Sequence, residues 1–487
     1  MLEHIKKVSF GKLAAEREIQ EGLKQYFIET GAFNRIKDGS KSILLGNRGT
    51  GKSAIIKMLA EHYKRENCIV VELIPEDYSY EMLHKTLMTE QDGSWAKTSS
   101  YTAAWKYLIY VIAMKYYIDD NDTIVKSTAK DIFNYIRTNH KGYKKQSYWD
   151  IFVSYLKRIE GLKIGPYEAG IKTKELHQLY KLEEIAILLD SLTALAERKS
   201  IVFLIDELDK GWDASEDAKA FVGGLFQASI TLNQLSPNFR VIVSLRRELY
   251  DNIPALYEDF QKYNDIFEII EWDKKSLLKL ITKRIGYFLP EFSGKTDIEK
   301  WKVIFADQIH NLDSYEYTIQ RTLNRPREII QFCIDARARA VEIRSNKIDI
   351  NAIVTSEVRY SENRTKDIAI EYKFQYPNLL DLFEIFIGKS CIFSRVELEE
   401  ICTKILLGEI KSNGCNIWLN NQSEEFIINV LWQVGFLKIF TKNYVQGILS
   451  EDYFGANEIG QKNIGNINRF MIHPMFRMYL GIIDVEN

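Results

Sequence analysis

The chain has 487 residues, which at about 100–200 residues per domain is enough for roughly two to four domains, so a single small binding module is excluded. Hydrophobic residues make up 46% and charged residues 27%, with only 8 prolines, and this balance excludes a disordered or fibrous chain. Lys and Arg (65) nearly balance Asp and Glu (67), and the net charge of −2 excludes nonspecific binding of a polyanion by the chain as a whole.

The cysteines and the apolar stretches indicate where the protein resides. The five cysteines are widely spaced, with no CxxC pair, and we interpret them as reduced packing residues. Acidic residues begin at Glu3, no apolar segment typical of a leader follows, and the most apolar later stretch, 107–117, contains Lys115 and is too short to span a bilayer. We therefore expect a soluble, cytoplasmic protein with no membrane partner.

The first 64 residues predict a helix, a strand, a glycine-rich turn and a second helix. Apolar residues recur at helical spacing over 9–33, with Gly31 as the expected stop. A β-type run at 41–46 precedes the turn, and 54–64 reads as helix. This order is typical of an α/β nucleotide-binding fold.

The turn itself carries a phosphate-binding motif. Residues 46–53, GNRGTGKS, match G-x-x-x-x-G-K-[ST] between a predicted strand and a predicted helix, the context expected of a P-loop. Its backbone N–H groups and the helix start would surround phosphate oxygens, Lys52 would reach the β- and γ-phosphates, and the Ser53 hydroxyl would bind Mg²⁺. The predicted ligands are ATP and Mg²⁺, and the predicted nucleotide-binding residues of the loop are Gly46, Asn47, Arg48, Gly49, Thr50, Gly51, Lys52 and Ser53.

A strand predicted at 68–74 is followed by a mostly helical insertion at 90–198. Helices are expected at 101–118, 128–137, 149–159 and 175–198, with a hairpin at 161–170. Residues 95–200 carry 17 basic and 12 acidic side chains, a balance of +5. The basic segment 140–149, with Lys141, Lys144 and Lys145 among aromatic residues, is the candidate nucleic-acid contact. The alternative, which we favour, is a solvated loop whose aromatic residues anchor the next helix.

The next predicted strand, 201–205, ends in two carboxylates. Asp206 is placed to orient the Mg²⁺ shell, and Glu207 to polarise a water. Alone, such a pair is more typical of a solvated turn, but its combination with a P-loop favours the catalytic interpretation. A glutamate directly after the metal-binding aspartate favours an ATP-hydrolysing enzyme over a small-molecule kinase.

Polar groups also end the predicted strand at 239–245, which precedes a last core strand at 267–270. Because the carboxyl ends of parallel strands face the ligand crevice, Ser244 and Arg246 are candidates to sense the γ-phosphate. The equally weighted alternative is that Arg246 and Arg247 form surface ion pairs with Glu248 or Asp251.

The remaining chain predicts a helical lid at 273–370 and a C-terminal domain at 371–487. Lid helices are expected at 274–288 and 327–344. The C-terminal domain predicts helices at 379–386, 395–406 and 424–434 and a β-pair between 436–440 and 470–472, an order typical of a winged-helix-like domain. It contains 10 Lys and Arg against 14 Asp and Glu, a balance of −4 that favours a protein partner or self-association over duplex DNA. His473 is expected to pack or cap a helix rather than to catalyse.

With these residues in place, the core resembles the additional-strand, catalytic-glutamate P-loop ATPases, and within them the AAA+ and STAND group that includes origin-recognition-like ATPases. The resemblance is carried by GNRGTGKS at 46–53, IVFLIDELD at 201–209, RVIVSLRR at 240–247 and LNRPREII at 323–330. The last segment is similar to a lid motif in which a Gly-x-Pro or sensor arginine touches the nucleotide, which implies nucleotide contacts for Pro326 and Arg327, although the expected glycine is Asn324.

Segments 10–33, 205–213 and 470–481 also resemble a bacterial family of largely uncharacterised P-loop ATPases. Some ATPases of this broad group serve in phage-defence or DNA-associated systems. Ring motors of the group usually carry an arginine finger before the last core strand, yet 248–283 contains no Arg. This departure from the family pattern favours a nucleotide switch over a ring motor; the alternative is that the finger comes from another element, such as the insertion.

We accordingly expect an α/β fold: a parallel-sheet P-loop NTPase core (1–89 and 199–272) with a helical insertion (90–198), a small helical lid (273–370) and a winged-helix-like C-terminal domain (371–487). The expected function is that of an ATP-hydrolysing switch that couples nucleotide state to a protein or nucleic-acid partner, with Lys52, Glu207 and Arg246 catalytic and Ser53 and Asp206 holding the metal. The alternative is a nucleotide-regulated DNA-binding protein in which hydrolysis is incidental.

Overall fold

The computed structural model describes residues 2–74, 94–119, 129–140, 147–163, 182–251, 253, 263–410, 415–445, 448–459 and 462–483. The chain divides into two compact units. One, the sheet unit, comprises Glu29–Asn47 and Lys52–Ile270. The other, the helical unit, comprises Met1–Ile28, Arg48–Gly51 and Glu271–Asn487.

The helices and strands follow in chain order. The helices are α1 (Leu2–Lys7), α2 (Ala15–Glu21), α3 (Leu23–Tyr26), α4 (Gly31–Lys37), α5 (Lys52–Arg65), α6 (Ser94–Asp119), α7 (Lys130–Asn139), α8 (Tyr148–Lys163), α9 (Glu183–Ala186), α10 (Leu189–Arg198), α11 (Glu216–Asn233), α12 (Arg247–Asp251), α13 (Lys274–Phe288), α14 (Asp297–Ile304), α15 (Ser314–Ile319), α16 (Pro326–Glu342), α17 (Ile350–Glu371), α18 (Leu379–Glu384), α19 (Arg395–Leu406), α20 (Asn416–Leu419), α21 (Glu424–Gln433) and α22 (Pro474–Leu480). The strands are β1 (Ile43–Gly46), β2 (Ile69–Leu73), β3 (Ile201–Ile205), β4 (Phe239–Arg246), β5 (Phe267–Ile269), β6 (Gln308–Ile309), β7 (Leu312–Asp313), β8 (Ile392–Ser394), β9 (Leu437–Val445), β10 (Ile448–Phe454) and β11 (Arg469–Ile472).

A parallel sheet with the order β2-β3-β4-β1-β5 forms the centre of the sheet unit. Every residue of β1 and β3 is buried, as expected for strands covered on both faces. Because β4 lies between β1 and β3, the carboxyl ends of these three strands lie side by side at one edge of the sheet. The predicted α/β class, with a P-loop-like core and a helical C-terminal part, is confirmed.

Helices of the insertion pack on the sheet unit's own core. The indole Nε1 of Trp105 in α6 donates to the carbonyl oxygen of Phe221 in α11 at 3.1 Å. A Cβ atom added to Gly224 would lie 2.6 Å from the Cβ of Tyr101, so this close helix crossing requires a glycine. Among the helices that the structure describes, including the apolar α6, none has the length and apolarity needed to cross a membrane.

The predicted helices of the insertion are largely present. Those at 101–118, 128–137 and 149–159 correspond to α6, α7 and α8. The helix predicted at 175–198 is divided into α9 and α10 in its described part, and the hairpin predicted from 161 is wrong at its start, because α8 continues to Lys163. Residues 164–181 and the lysine-rich segment 141–146 lie outside the described residues, so those predictions stay predictions.

The continuous helix predicted at 9–33 is wrong, because the segment is broken into α2, α3 and α4. Gly22, with φ of 130°, ends α2, since this conformation is accessible mainly to glycine. Gly31 begins α4 instead of stopping a helix, and the hydroxyl of Thr30 caps α4 by accepting from the N–H of Phe33 at 3.2 Å.

The helical unit surrounds its own hydrophobic core. The lid helices predicted at 274–288 and 327–344 are found as α13 and α16, and a further helix, α17, follows them. The N-terminal segment is tied to α13 by a buried ion pair between Glu18 and Arg284, 2.9 Å apart. Such a pair fixes the geometry because neither charge can be left unpaired in a buried site.

The C-terminal part of the helical unit contains an antiparallel sheet with the order β10-β9-β11-β8. The predicted pairing of 436–440 with 470–472 is confirmed, with Phe470 opposite Ile439. The predicted role of His473 is also confirmed: the side chain is buried, and its Nδ1 accepts from the N–H of Met475 at 3.2 Å, which caps α22.

Candidate functional site

The glycine-rich loop connects the end of β1 to the start of α5. Gly49 and Gly51 have φ of 84° and 96°, values that other residues adopt only with strain. α5 begins at Lys52, so the N-terminal end of this helix follows the loop directly. Gly49 and Gly51 are therefore required by the backbone path, and the path leads into a helix start that favours anions.

The side chain of Lys52 reaches back to the start of the loop. Its Nζ donates to the carbonyl oxygens of Gly46 at 2.8 Å and Asn47 at 3.0 Å. Burial lowers the pKa of Lys52 to about 8; among the nearby charges, Glu248 has the largest opposing effect, and Asp206 also opposes it. An ammonium partly withdrawn from solvent is a strong partner for a phosphate, because fewer water contacts are lost on binding.

This lowered pKa predicts that nucleotide binding weakens in alkali. Only the charged form of Lys52 attracts a phosphate, and that form is lost as the pH rises through about 8. Between about pH 7.5 and about pH 9, we expect the Kd for ATP, measured by calorimetry, to rise roughly eightfold. Lys52→Arg, which stays charged throughout this range, should show a flat profile. Equal wild-type Kd values at both pH values would contradict the assignment of this pKa to the binding step.

Asp206 and Glu207 directly follow β3, as the sequence predicts, and differ in environment. Asp206 is buried and forms no ion pair within the described ranges, while Glu207 Oε2 lies 2.5 Å from Lys210 Nζ. Glu207 has φ of 61°, a left-handed conformation that is unusual for a residue other than glycine. Strained backbone of this kind is concentrated at functional sites.

The donor set fits Mg²⁺. The hydroxyl of Ser53 and the buried carboxylate of Asp206 are oxygen ligands, which Mg²⁺ prefers, and Mg²⁺ commonly binds through one or two such groups together with phosphate oxygens. Asp206 lies close enough to Lys52 for its negative charge to oppose the lowering of the pKa of that lysine.

Ser244 and Arg246 lie at the end of β4, opposite Leu44 and Gly46 of β1. Ser244 is buried, and its hydroxyl has no hydrogen-bond partner among the described residues. An unpaired buried hydroxyl costs free energy, so a polar ligand at this edge would be favoured.

Arg246 is held by carboxylates. Its Nη2 contacts Asp209 Oδ2, and its Nη1 lies 3.6 Å from Glu248 Oε1. Arg247 lies 4.0 Å from Asp251, so the ion-pair alternative describes both arginines in this conformation. Asp209 was given no role by the sequence, although it lies two residues after Glu207, because its partner belongs to a strand more than thirty positions away.

Pro326 and Arg327 belong to the helical unit, together with the tip of the loop, Arg48–Gly51. Pro326 is the first residue of α16, and the N–H of Arg327 donates to the carbonyl oxygen of Gly49 at 3.2 Å. Asn324 has φ of 56°, the left-handed conformation in which asparagine is the best replacement for glycine. The departure of this segment from the expected Gly-x-Pro pattern is therefore conformationally conservative.

The chain is similar to two protein families over parts of its length and to one named protein over most of it. Residues 1–91 match a protein family of unknown function, DUF815, and residues 275–369 match the FunZ-associated C-terminal helical domain. The chain is 24% identical to a protein of Escherichia coli (strain K12) named as an 80.3 kDa protein of transposon gamma-delta, over 97% of this chain and 67% of that protein. The first match includes the P-loop at 46–53, and the second includes α16 and most of α13 and α17.

Proposed function

We propose that the protein is a Mg²⁺-dependent ATPase that works as a nucleotide switch. The observation that carries this proposal is the strand order. It brings the ends of β1, β4 and β3 side by side, and with them the P-loop, Arg246 and the Asp206–Glu207 pair. A cation, a metal-binding carboxylate and a second carboxylate at one sheet edge are the groups that phosphoryl transfer to water requires.

Each group has a distinct role in the proposed reaction. The loop N–H groups and Lys52 hold the phosphate charge, and Ser53 and Asp206 orient the metal, which neutralises charge on the β- and γ-phosphate oxygens when bound. Glu207 accepts a proton from the attacking water through its carboxylate. This requires Glu207 to leave Lys210, its ion-pair partner in the present conformation.

Arg246 is proposed to report the γ-phosphate. Its guanidinium is shared with Asp209 and within reach of Glu248, so a phosphate must compete with two carboxylates for it. Such competition favours a ligand with high charge, and it would make the arginine respond to ATP more strongly than to ADP. A switch needs this difference between its two nucleotide states.

The C-terminal residues support a protein partner. The order β8, α19, α20, α21, β9, β10 resembles that of a winged helix, a fold often used on DNA, but the acidic balance of −4 in 371–487 disfavours phosphate contacts. We therefore propose self-association or a protein partner for this domain. A role in a bacterial defence or DNA-associated system follows from the family resemblance, and a nuclease or other effector gene beside this one would support it.

Nucleotide binding and turnover by the full chain test the proposal. We expect calorimetry to detect ATP binding that strengthens with Mg²⁺, and a phosphate-release assay to detect hydrolysis. A chain that binds no ATP at about 1 mM, a concentration typical of weak nucleotide sites, would overturn the proposal.

A further inference from the structure

The P-loop has N–H groups, which are proposed to bind phosphate, and carbonyl oxygens, and the structure shows hydrogen bonds to the carbonyl oxygens. In a planar trans peptide, the C=O of one residue and the N–H of the next point in opposite directions. The carbonyl oxygens of Arg48, Gly49 and Thr50 therefore fix the directions of the N–H groups of the following residues. Donors on the carbonyl side can position the amides that are proposed to bind phosphate.

All three of these carbonyl oxygens accept a hydrogen bond from elsewhere in the helical unit. The donors are Arg325 Nη1 to Arg48 at 3.2 Å, the Arg327 N–H to Gly49 at 3.2 Å, and Trp272 Nε1 to Thr50 at 2.9 Å. The backbone approach is close: a Cβ atom on Gly49 would lie 3.0 Å from the Cβ of Arg327.

Arg325 is itself held rigidly. Its side chain is buried, with Nη1 2.7 Å from Glu371 Oε2 and Nε 3.7 Å from Glu328 Oε1. These two carboxylates raise the pKa of Arg325 above its usual range despite the opposing effect of burial. Since Glu371 is the last residue of α17, the loop carbonyl is connected through one guanidinium to the point where the C-terminal domain, 371–487, begins.

The segment between these donors also contacts the C-terminal domain. Glu328 accepts from the N–H of Leu323 at 2.6 Å, and Asn457 Nδ2 donates to the carbonyl oxygen of Leu323 at 3.0 Å. A Cβ atom on Gly435 would lie 2.8 Å from the side chain of Leu323. Residues 323–328 thus touch the P-loop on one side and the C-terminal domain on the other.

We propose that Trp272, Arg325 and the Arg327 N–H are positioning groups that hold the P-loop from its carbonyl side, and that they couple nucleotide binding to the C-terminal domain through residues 323–328. The inference rests on the proposed nucleotide site. An anion bound to the amides polarises the same peptides and makes their carbonyls better acceptors. By reciprocity, contacts that strengthen when nucleotide binds also strengthen nucleotide binding.

Trp272→Phe tests the proposal with the smallest change, because it removes one N–H donor and keeps an aromatic ring. We expect the Kd of the full chain for Mg²⁺-ATP, measured by calorimetry, to rise about three- to tenfold, the range for one lost hydrogen bond. The matched control is Trp418→Phe, since Trp418 Nε1 donates to the carbonyl oxygen of Pro377 at 2.8 Å in the same unit. The control should lose comparable thermal stability and keep wild-type affinity.

Hydrogen exchange provides a second readout that a purely structural role would not change. ATP should slow amide exchange at residues 323–328 in the wild type and in Trp418→Phe, and slow it less in Trp272→Phe. If Trp272→Phe does not fold, hydrogen exchange of the wild type with and without ATP tests the coupling. An exchange rate at 323–328 that ATP does not change overturns it. If the wild type binds ATP and folded Trp272→Phe binds it with the same Kd, this inference alone is overturned. If the wild type does not bind ATP, the proposed function is overturned as well.

Discussion

Glu207→Gln will bind ATP with nearly wild-type affinity and hydrolyse it at least about a hundredfold more slowly. The amide keeps the size of the side chain and can still accept from Lys210, but it cannot take a proton from water, and loss of a general base typically costs 10²–10⁴ in rate. Phosphate release under saturating Mg²⁺-ATP gives the rate, and calorimetry in the same buffer gives the Kd.

The control for this variant is Glu216→Gln, which changes a carboxylate of the same kind in an exposed ion pair with Lys219, 2.8 Å apart. It should hydrolyse ATP at the wild-type rate, because exposed pairs contribute little and Glu216 lies in the first turn of α11, outside the motifs assigned to the site. If Glu207→Gln hydrolyses ATP at the rate of the control, Glu207 is not the catalytic base. The assignment of the P-loop is not affected by that result.

The parts of the site that the sequence predicts are those set by local spacing. The pattern at 46–53 requires a glycine at 51, and Gly51 has a positive φ; Gly49, at a position that the pattern leaves open, has one as well. Buried strands are recognisable from continuous apolar runs, and the strands of the sheet unit lie within two residues of their predicted bounds. Local rules also explain Asn324, which adopts the conformation expected of the missing glycine.

The parts that the sequence does not predict depend on partners distant in the chain. Asp209 pairs with Arg246 because β3 and β4 are neighbours, and Trp272 donates to the carbonyl oxygen of Thr50, 222 positions away in the chain. The periodicity of a sequence does not predict such contacts. The carbonyl side of the P-loop is the clearest case, because the motif is defined by the side that faces phosphate.

The long helix α17 was missed for a different reason. Its buried face is partly polar, with Glu357, Ser361 and Thr365 all buried, so its apolar periodicity is weak. These groups are satisfied by specific partners: Ser361 Oγ, for example, donates to the carbonyl oxygen of Met475 at 2.7 Å. A hydrophobic pattern identifies a helix only when its buried face is apolar.

Lys52→Ala should lose nucleotide affinity without losing stability. We expect its Kd for ATP to rise roughly a hundredfold, about 3 kcal/mol, since charge-assisted hydrogen bonds to phosphate are the strongest that this loop can make. The melting temperature should change little. The pKa of Lys52 is lowered to about 8 in the folded protein, so removing the charged form relieves a cost to folding at neutral pH, and this relief offsets the loss of the hydrogen bonds to Gly46 and Asn47.

The opposite behaviour is expected of Lys57→Ala, on the same helix. Lys57 Nζ lies 2.6 Å from Glu72 Oε2, outside the motif, so its loss should lower stability slightly and leave the Kd for ATP unchanged. This crossed pattern separates a binding lysine from a structural one, because a general weakening of α5 would affect both variants alike. If Lys52→Ala melts lower and binds ATP as the wild type does, the P-loop is a structural turn and the proposed switch has no nucleotide site.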